Sequence, residues 1–201
     1  GRWTLMALGE VDYGLSGLIG GMVIFITFLN TLLAGAVGRF YAYAIGEAQS
    51  NPKQGLVKCQ KWFNSALLIH TVIPIVLIII GYPLGEHAIL KWLTIPTSRI
   101  PDCIWVWKIV CSSCFLNMVT IPFTSFYYAR QYFGEITLYT TIGIFLNVLV
   151  LFYMASTPGN WLVCSVLWTS LLSTVPNLLL TIRSKWIFQE CRFNWKYLWS
   201  A

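Results

Sequence analysis

The chain is 201 residues long, 57% of them hydrophobic and 10% charged, and 13 lysines and arginines against 7 acids leave a formal charge of +6. With a mean hydropathy of +0.69, this balance excludes an ordinary soluble domain. It directs attention to charge-free stretches of about 20 residues, the length a helix needs to cross a hydrocarbon core.

In chain order, Gly14 to Gly38 contains no charged residue and predicts a first full span over about 14–38, ending beside Arg39. Small residues in its opening, "GLSGLIGG", let helices approach closely, and Asp12 with Tyr13 just before it reads as a helix cap. Trp62 to Gly85 predicts a second span, about 62–84, and the charge-free run Ile109 to Ala129 a third, about 105–128. Ile136 to Ile182 is charge-free for 47 residues, too long for one span. It is broken at "STPGN", Ser156 to Asn160, a tight-turn composition. Spans over about 136–155 and 161–182 joined by a hairpin follow. Pro74, Pro122 and Pro176 each remove a helix hydrogen bond and predict kinks. The ending "KWIFQECRFNWKYLWS", Lys185 to Ser200, mixes aromatics with charges and predicts an amphipathic segment along the inner surface.

Helices satisfy their own backbone in lipid, and the alternating segments of a barrel are absent, so the predicted fold is an all-α, polytopic membrane bundle of five full spans in one domain, 1–201. With the first span running inward, the cytoplasmic segments hold Lys53, Lys58, Lys61, Arg130, Arg183, Lys185, Arg192 and Lys196, against Arg2, Lys91 and Arg99 outside. The positive-inside rule supports this orientation, and aromatics such as Trp62, Trp105, Tyr128 and Trp161 fall near span ends. The positive charge is then topological, and no nucleic-acid partner is expected.

Ionisable residues in spans mark pathways more often than ordinary positions do. Arg39 reads either as a snorkelling anchor at the inner helix end or as a contact for an anionic substrate. Lys108, near the outer end of the third full span, snorkels outward or faces a cavity. His70 reads as a neutral, hydrogen-bonded histidine, with ion coupling as the alternative. Asn30, Asn64, Asn117, Asn147 and Asn177 read first as interhelical hydrogen-bonding amides, with the lining of a polar cavity as the alternative. Cys111 and Cys114 lie one turn apart without companion ligands, so no metal and no cofactor is expected. The seven acids are scattered singly and no catalytic motif appears, which argues against an enzyme.

"ALGEVDYGLSGLIGGMVIFITFLNTLLAGAVGRF", Ala7 to Phe40, resembles the segment that follows the first span in bacterial polysaccharide (O-antigen) flippases of the multidrug/oligosaccharidyl-lipid/polysaccharide exporter superfamily. "FNSALLIH", Phe63 to His70, "LTIPTSRI", Leu93 to Ile100, and "IPFTSFYYARQ", Ile121 to Gln131, look like later parts of the same pattern. The resemblance implies spans two to six of an N-terminal bundle in the bacterial inner membrane, with the tail of span one at Gly1 to Leu8. The rest of span one and the C-terminal bundle are then expected elsewhere in the same parent protein, in keeping with a chain that does not begin with methionine. It further implies transport, by alternating access, of a lipid-linked oligosaccharide on a polyprenyl pyrophosphate carrier, for surface polysaccharide biosynthesis. Arg39, Asn30, Asn64 and Lys108 become candidates for the substrate pathway and His70 for ion coupling, with membrane lipids as the other partners. The alternatives are a multidrug exporter of the same superfamily and a membrane-embedded enzyme of lipid-linked sugar metabolism.

Overall fold

The computed structural model describes residues 2–157, 159–194 and 197. Six α-helices follow in order: α1 Arg2–Met22, α2 Ile24–Ser50, α3 Pro52–His87, α4 Ile100–Ala129, α5 Phe133–Ser156 and α6 Leu162–Ile187. Short turns of π-helix (Ala88–Trp92) and 3-10 helix (Thr97–Arg99, Gln189–Cys191) complete the fold, and no strand occurs among the described residues. Four helical stretches, Pro52–Trp92, Thr97–Ala129, Phe133–Ser156 and Leu162–Ile187, are long and apolar enough to cross a membrane. The chain is therefore a multi-pass membrane protein by length and composition.

The span expected over 14–38 is not one straight helix. It straddles a break at Val23 and becomes a pair, Arg2–Met22 and Ile26–Ser50, bent by 48°. The physical cause lies in "GGMVIFIT". Gly20 and Gly21 give the turn no side-chain packing, and the Val23 amide bonds back to the Gly20 carbonyl at 3.3 Å. Thr27 Oγ1 then donates to the Val23 carbonyl at 3.1 Å, and Thr31 Oγ1 to that of Thr27 at 3.0 Å. Such back-bonding hydroxyls bend helices. A second kink sits at Gly9, whose φ of 76° suits a residue without a Cβ.

Between α2 and α3 the chain turns tightly. Asn51 caps α3 by accepting the Gln54 amide at 3.3 Å, and Pro52 fills the first helical position, where its missing N–H costs nothing. A Cβ on Gly55 would meet that of Ala48 at 2.1 Å, so only glycine permits this approach.

Helix α4 is the central post, packed against α2, α3 and α6. Towards its N-terminal end, Val106 and Trp107 join Ile19, Ile89 and Leu162 in one apolar cluster. Towards its C-terminal end, Phe123, Phe126 and Tyr127 join Tyr41, Phe63 and Phe188 in another. Ion pairs gather at these same two ends. Arg99 bridges Asp12 and Asp102, both at 3.1 Å, at the first. Lys58 with Glu47, Arg183 with Glu135 and Arg130 with Glu190 hold the second.

The amphipathic segment expected over 185–200 takes another form where it is described. Helix α6 continues to Ile187, and the chain then folds back so that Phe188 and Cys191 are buried in the cluster at the C-terminal end of α4. The Asn194 amide donates to Asn64 Oδ1 at 2.8 Å. Phe188 packs against α4, meeting Phe126 and Tyr127 with centroids 5.1 Å apart in each case, while Trp186 and Phe193 are exposed. Residues 195, 196 and 198–200 lie outside the described residues.

Candidate functional site: an uncharged polar groove

Polar side chains recur at helical spacing on α4 (Ser113, Asn117, Thr120, Thr124) and on α6 (Ser170, Ser173, Asn177, Thr181), so each set lies on one face of its helix. Where the faces meet they bond. Ser113 Oγ and Thr174 Oγ1 are 3.0 Å apart, Asn117 Nδ2 donates to both at 3.2 Å, and Asn177 Nδ2 donates to Asn117 Oδ1 at 2.9 Å. In a hydrocarbon surrounding, this seam satisfies the amides that face it.

Beside the seam lie two hollows. One, of about 300 Å³, is walled by α2, α4 and α6 through Thr27, Asn30, Asn117, Thr120, Thr124 and Asn177. The other, of about 340 Å³, is walled by α5 and α6 through Thr140, Gly143, Asn147, Thr169, Ser173 and Asn177. Ser173 and Asn177 line both, so the hollows adjoin and form one groove near the middle of α4, α5 and α6. No acid or base lines it.

Its hydroxyls are already committed as donors. Thr120 and Thr124 give their protons to the Asn117 and Thr120 carbonyls at 2.8 and 3.3 Å. Thr140, Thr169 and Ser173 bond to the Ile136, Ser165 and Ser170 carbonyls at 2.8, 3.0 and 2.9 Å. With each proton held by its own helix, what these oxygens offer the groove is lone pairs. Asn30 Oδ1 is a buried acceptor without a hydrogen-bond partner. The Asn147 side chain makes no hydrogen bond among the described residues, which leaves its donors and acceptor open to the groove. The lining is therefore rich in acceptors, uncharged, and complementary to a ligand that brings many O–H or N–H donors.

The predicted site residues separate. Asn30 lines the groove. Arg39 is exposed and lies nine positions further along α2, about 900° of helix and hence half a turn away. It therefore stands on the face opposite Val37, Tyr41 and Ala44, which are buried, and no ion pair holds it among the described residues. Asn64 is fully buried, donating to the Gln60 carbonyl at 2.7 Å and accepting from Asn194. It staples the chain end to α3. His70 is fully buried as well, with Nδ1 2.8 Å from the Ala66 carbonyl oxygen, an arrangement that places the proton on Nδ1. Its Nε2 has no partner. Lys108 lines a different groove, between α4 and α6, with Nζ 4.9 Å from the centre of the Trp105 ring. The structure thus brings only Asn30 of the five to the polar groove.

The cysteines are all free thiols. Burial, with the Glu190 carboxylate nearby, pushes the Cys191 thiol up, which makes it a poor nucleophile and a poor metal ligand. Among the described residues no three His, Cys, Asp or Glu side chains come together to hold a metal ion.

Comparison with protein-family models, curated proteins and solved structures finds no match for the chain. The site therefore stands on its geometry. Sequence reasoning passed over Ser113, Thr120, Ser173 and Thr174. The signal that marks them is the pairing of two polar stripes, each at spacings of three and four residues, inside stretches that carry no charge.

Proposed function

We propose that the chain forms one helical bundle of a flippase that carries a lipid-linked oligosaccharide, on a polyprenyl pyrophosphate carrier, from the cytoplasmic to the outer leaflet of the bacterial inner membrane. The observation that carries this reading is the uncharged, acceptor-lined groove within helices that are otherwise apolar. Sugar hydroxyls are donors, and a neutral lining holds them by many weak bonds without the desolvation cost of a buried charge. No bond is made or broken. The work of the protein is to give a hydrated headgroup a path past the hydrocarbon while the carrier chain stays among the lipids.

In this reading the pyrophosphate is met by Arg39, whose exposed guanidinium offers fork geometry for phosphate oxygens. Because Arg39 faces away from the groove, it acts where the bundle meets lipid or a second bundle. A multidrug exporter would place carboxylates in the cavity, whereas Asp12, Glu47, Asp102, Glu135 and Glu190 all pair at the bundle ends.

The test is export of surface polysaccharide from cells carrying the full-length parent gene, at matched membrane protein levels. Asn30→Leu and Asn147→Leu remove groove amides that hold no part of the fold. Each is expected to lower export about tenfold, the worth of one buried hydrogen bond. Normal export from both variants would overturn the proposal.

A further inference from the structure

A second groove lies between α4 and α6, across the Ser113–Thr174 contact from the polar one, with a volume of about 300 Å³. On α4 it runs from Trp105 to Leu116 and on α6 from Leu167 to Leu178. Each stretch covers eleven residue steps, about 16 Å of helix, close to half the roughly 30 Å of a hydrocarbon core. The groove is thus one leaflet deep.

Its walls are apolar in effect. Ile109, Leu116, Leu167, Leu171, Val175 and Leu178 line it, while the hydroxyls of Ser112 and Ser113 are bonded to the Lys108 carbonyl at 2.8 Å and to Thr174 at 3.0 Å. At the mouth stands Lys108. It is exposed, its ammonium lies over the Trp105 ring, and no carboxylate pairs with it among the described residues. Of the acids of that end, Asp12 is engaged by Arg99 and Asp102 by Arg99 and Asn160, and neither Glu10 nor Glu86 forms an ion pair with Lys108 among the described residues.

Depth places this cation at a headgroup. Tyr128, exposed at the far end of α4, is twenty residues from Lys108, about 30 Å of helix and so one hydrocarbon thickness. With Tyr128 at one interface, Lys108 stands at the other. A one-leaflet apolar groove capped by a lone cation and an indole matches an anionic lipid in both parts.

We propose that this groove is a binding site for one anionic glycerophospholipid of the leaflet at the α4 N-terminal end, with an acyl chain between α4 and α6 and its phosphate on Lys108. The occupant is a resident lipid, independent of any transported cargo. Lys108 recognises the headgroup charge, and Trp105 supports both the ammonium and the glycerol level.

The test uses the full chain purified in detergent, stripped of lipid, and titrated with phosphatidylglycerol or phosphatidylcholine of identical acyl chains while bound lipid is counted by native mass spectrometry. The wild type is expected to prefer phosphatidylglycerol by about fivefold. Lys108→Ala should equalise the two lipids, and Ser170→Trp, which fills the groove, should lower both. Lys91→Ala, which removes an exposed cation of the same end outside the groove, should behave as wild type. Since Lys108 is exposed, its variant keeps the test decisive even where Ser170→Trp does not fold. An unchanged preference in Lys108→Ala would overturn the proposal. In a parallel titration with a polyprenyl phosphate, loss of that binding in Lys108→Ala with phosphatidylglycerol binding intact would also overturn it and assign the groove to a carrier lipid.

Discussion

Asn64 and Asn30 are the same side chain put to opposite uses. Asn64 is fully buried and bonded on both sides, so Asn64→Ala strands the Asn194 amide and is expected to cost about 1–3 kcal/mol. Thermal unfolding of the purified chain and its steady-state level in membranes check this. Asn30 carries an orphan acceptor, and Asn30→Leu removes that penalty at similar volume. The variant is expected to unfold at the same or a higher temperature than wild type while exporting less, the pattern of a residue kept for binding rather than stability. Gly85 shows a third kind of constraint: a Cβ there would lie 2.2 Å from the Trp107 ring, and Trp107 also donates to the Tyr82 carbonyl at 3.1 Å. Gly85→Val should therefore displace the indole and lower thermal stability by about 1–3 kcal/mol, an overpacking cost. At this scale the sequence showed which residue types were out of place in an apolar chain. It did not show which face they occupied. Asn30 lies in a charge-free run that ends beside Arg39, yet helix geometry sets the two half a turn apart, and only three-dimensional packing tells the groove face of α2 from the outer one.

Among the helices, α5 is held least. None of its most apolar window is buried, and it touches chiefly α1 and α6, with Trp3 against Phe152 at 5.9 Å among its contacts. Helix α4, surrounded on several sides, is the opposite case. In detergent, the central amides of α5 are expected to exchange hydrogen at least about tenfold faster than those of α4. Equal protection would contradict this picture of a loosely attached wall to the groove. Helix existence was legible because charge-free runs of the right length mark it, and the described bounds of α5 and α6 agree with 136–155 and 161–182 to within a few residues. The break at Val23 was not legible by that signal, since a window that counts charges is blind to backbone geometry. The Gly-Gly pair followed by back-bonding threonines was the cue. Nor did the amphipathic look of the stretch after α6 show that Phe188 packs on Phe126 and Tyr127 of α4.

At the scale of the whole molecule, the ion pairs gather at the two ends and an uncharged hydrogen-bonded seam joins α4 to α6 in the middle. The Asp12–Arg99–Asp102 cluster, extended by Asn160 at 3.1 Å from Asp102, ties α1, the start of α4 and the α5–α6 hairpin together. Asp12 is only 5% exposed, so Arg99→Ala leaves a buried carboxylate without its partner and should destabilise the bundle by about 3–5 kcal/mol. The central groove lies away from that end-clamp and carries no charged residue. The direct test is site-specific photo-crosslinking in cells expressing the full-length parent, with the photoreactive residue at Asn147, in the groove, or at Phe145, which is 63% exposed on another face of α5. A sugar-bearing lipid adduct at position 147 and none at 145 is the predicted result. Adducts of equal yield at both positions, or none at 147 while export proceeds, would contradict the account.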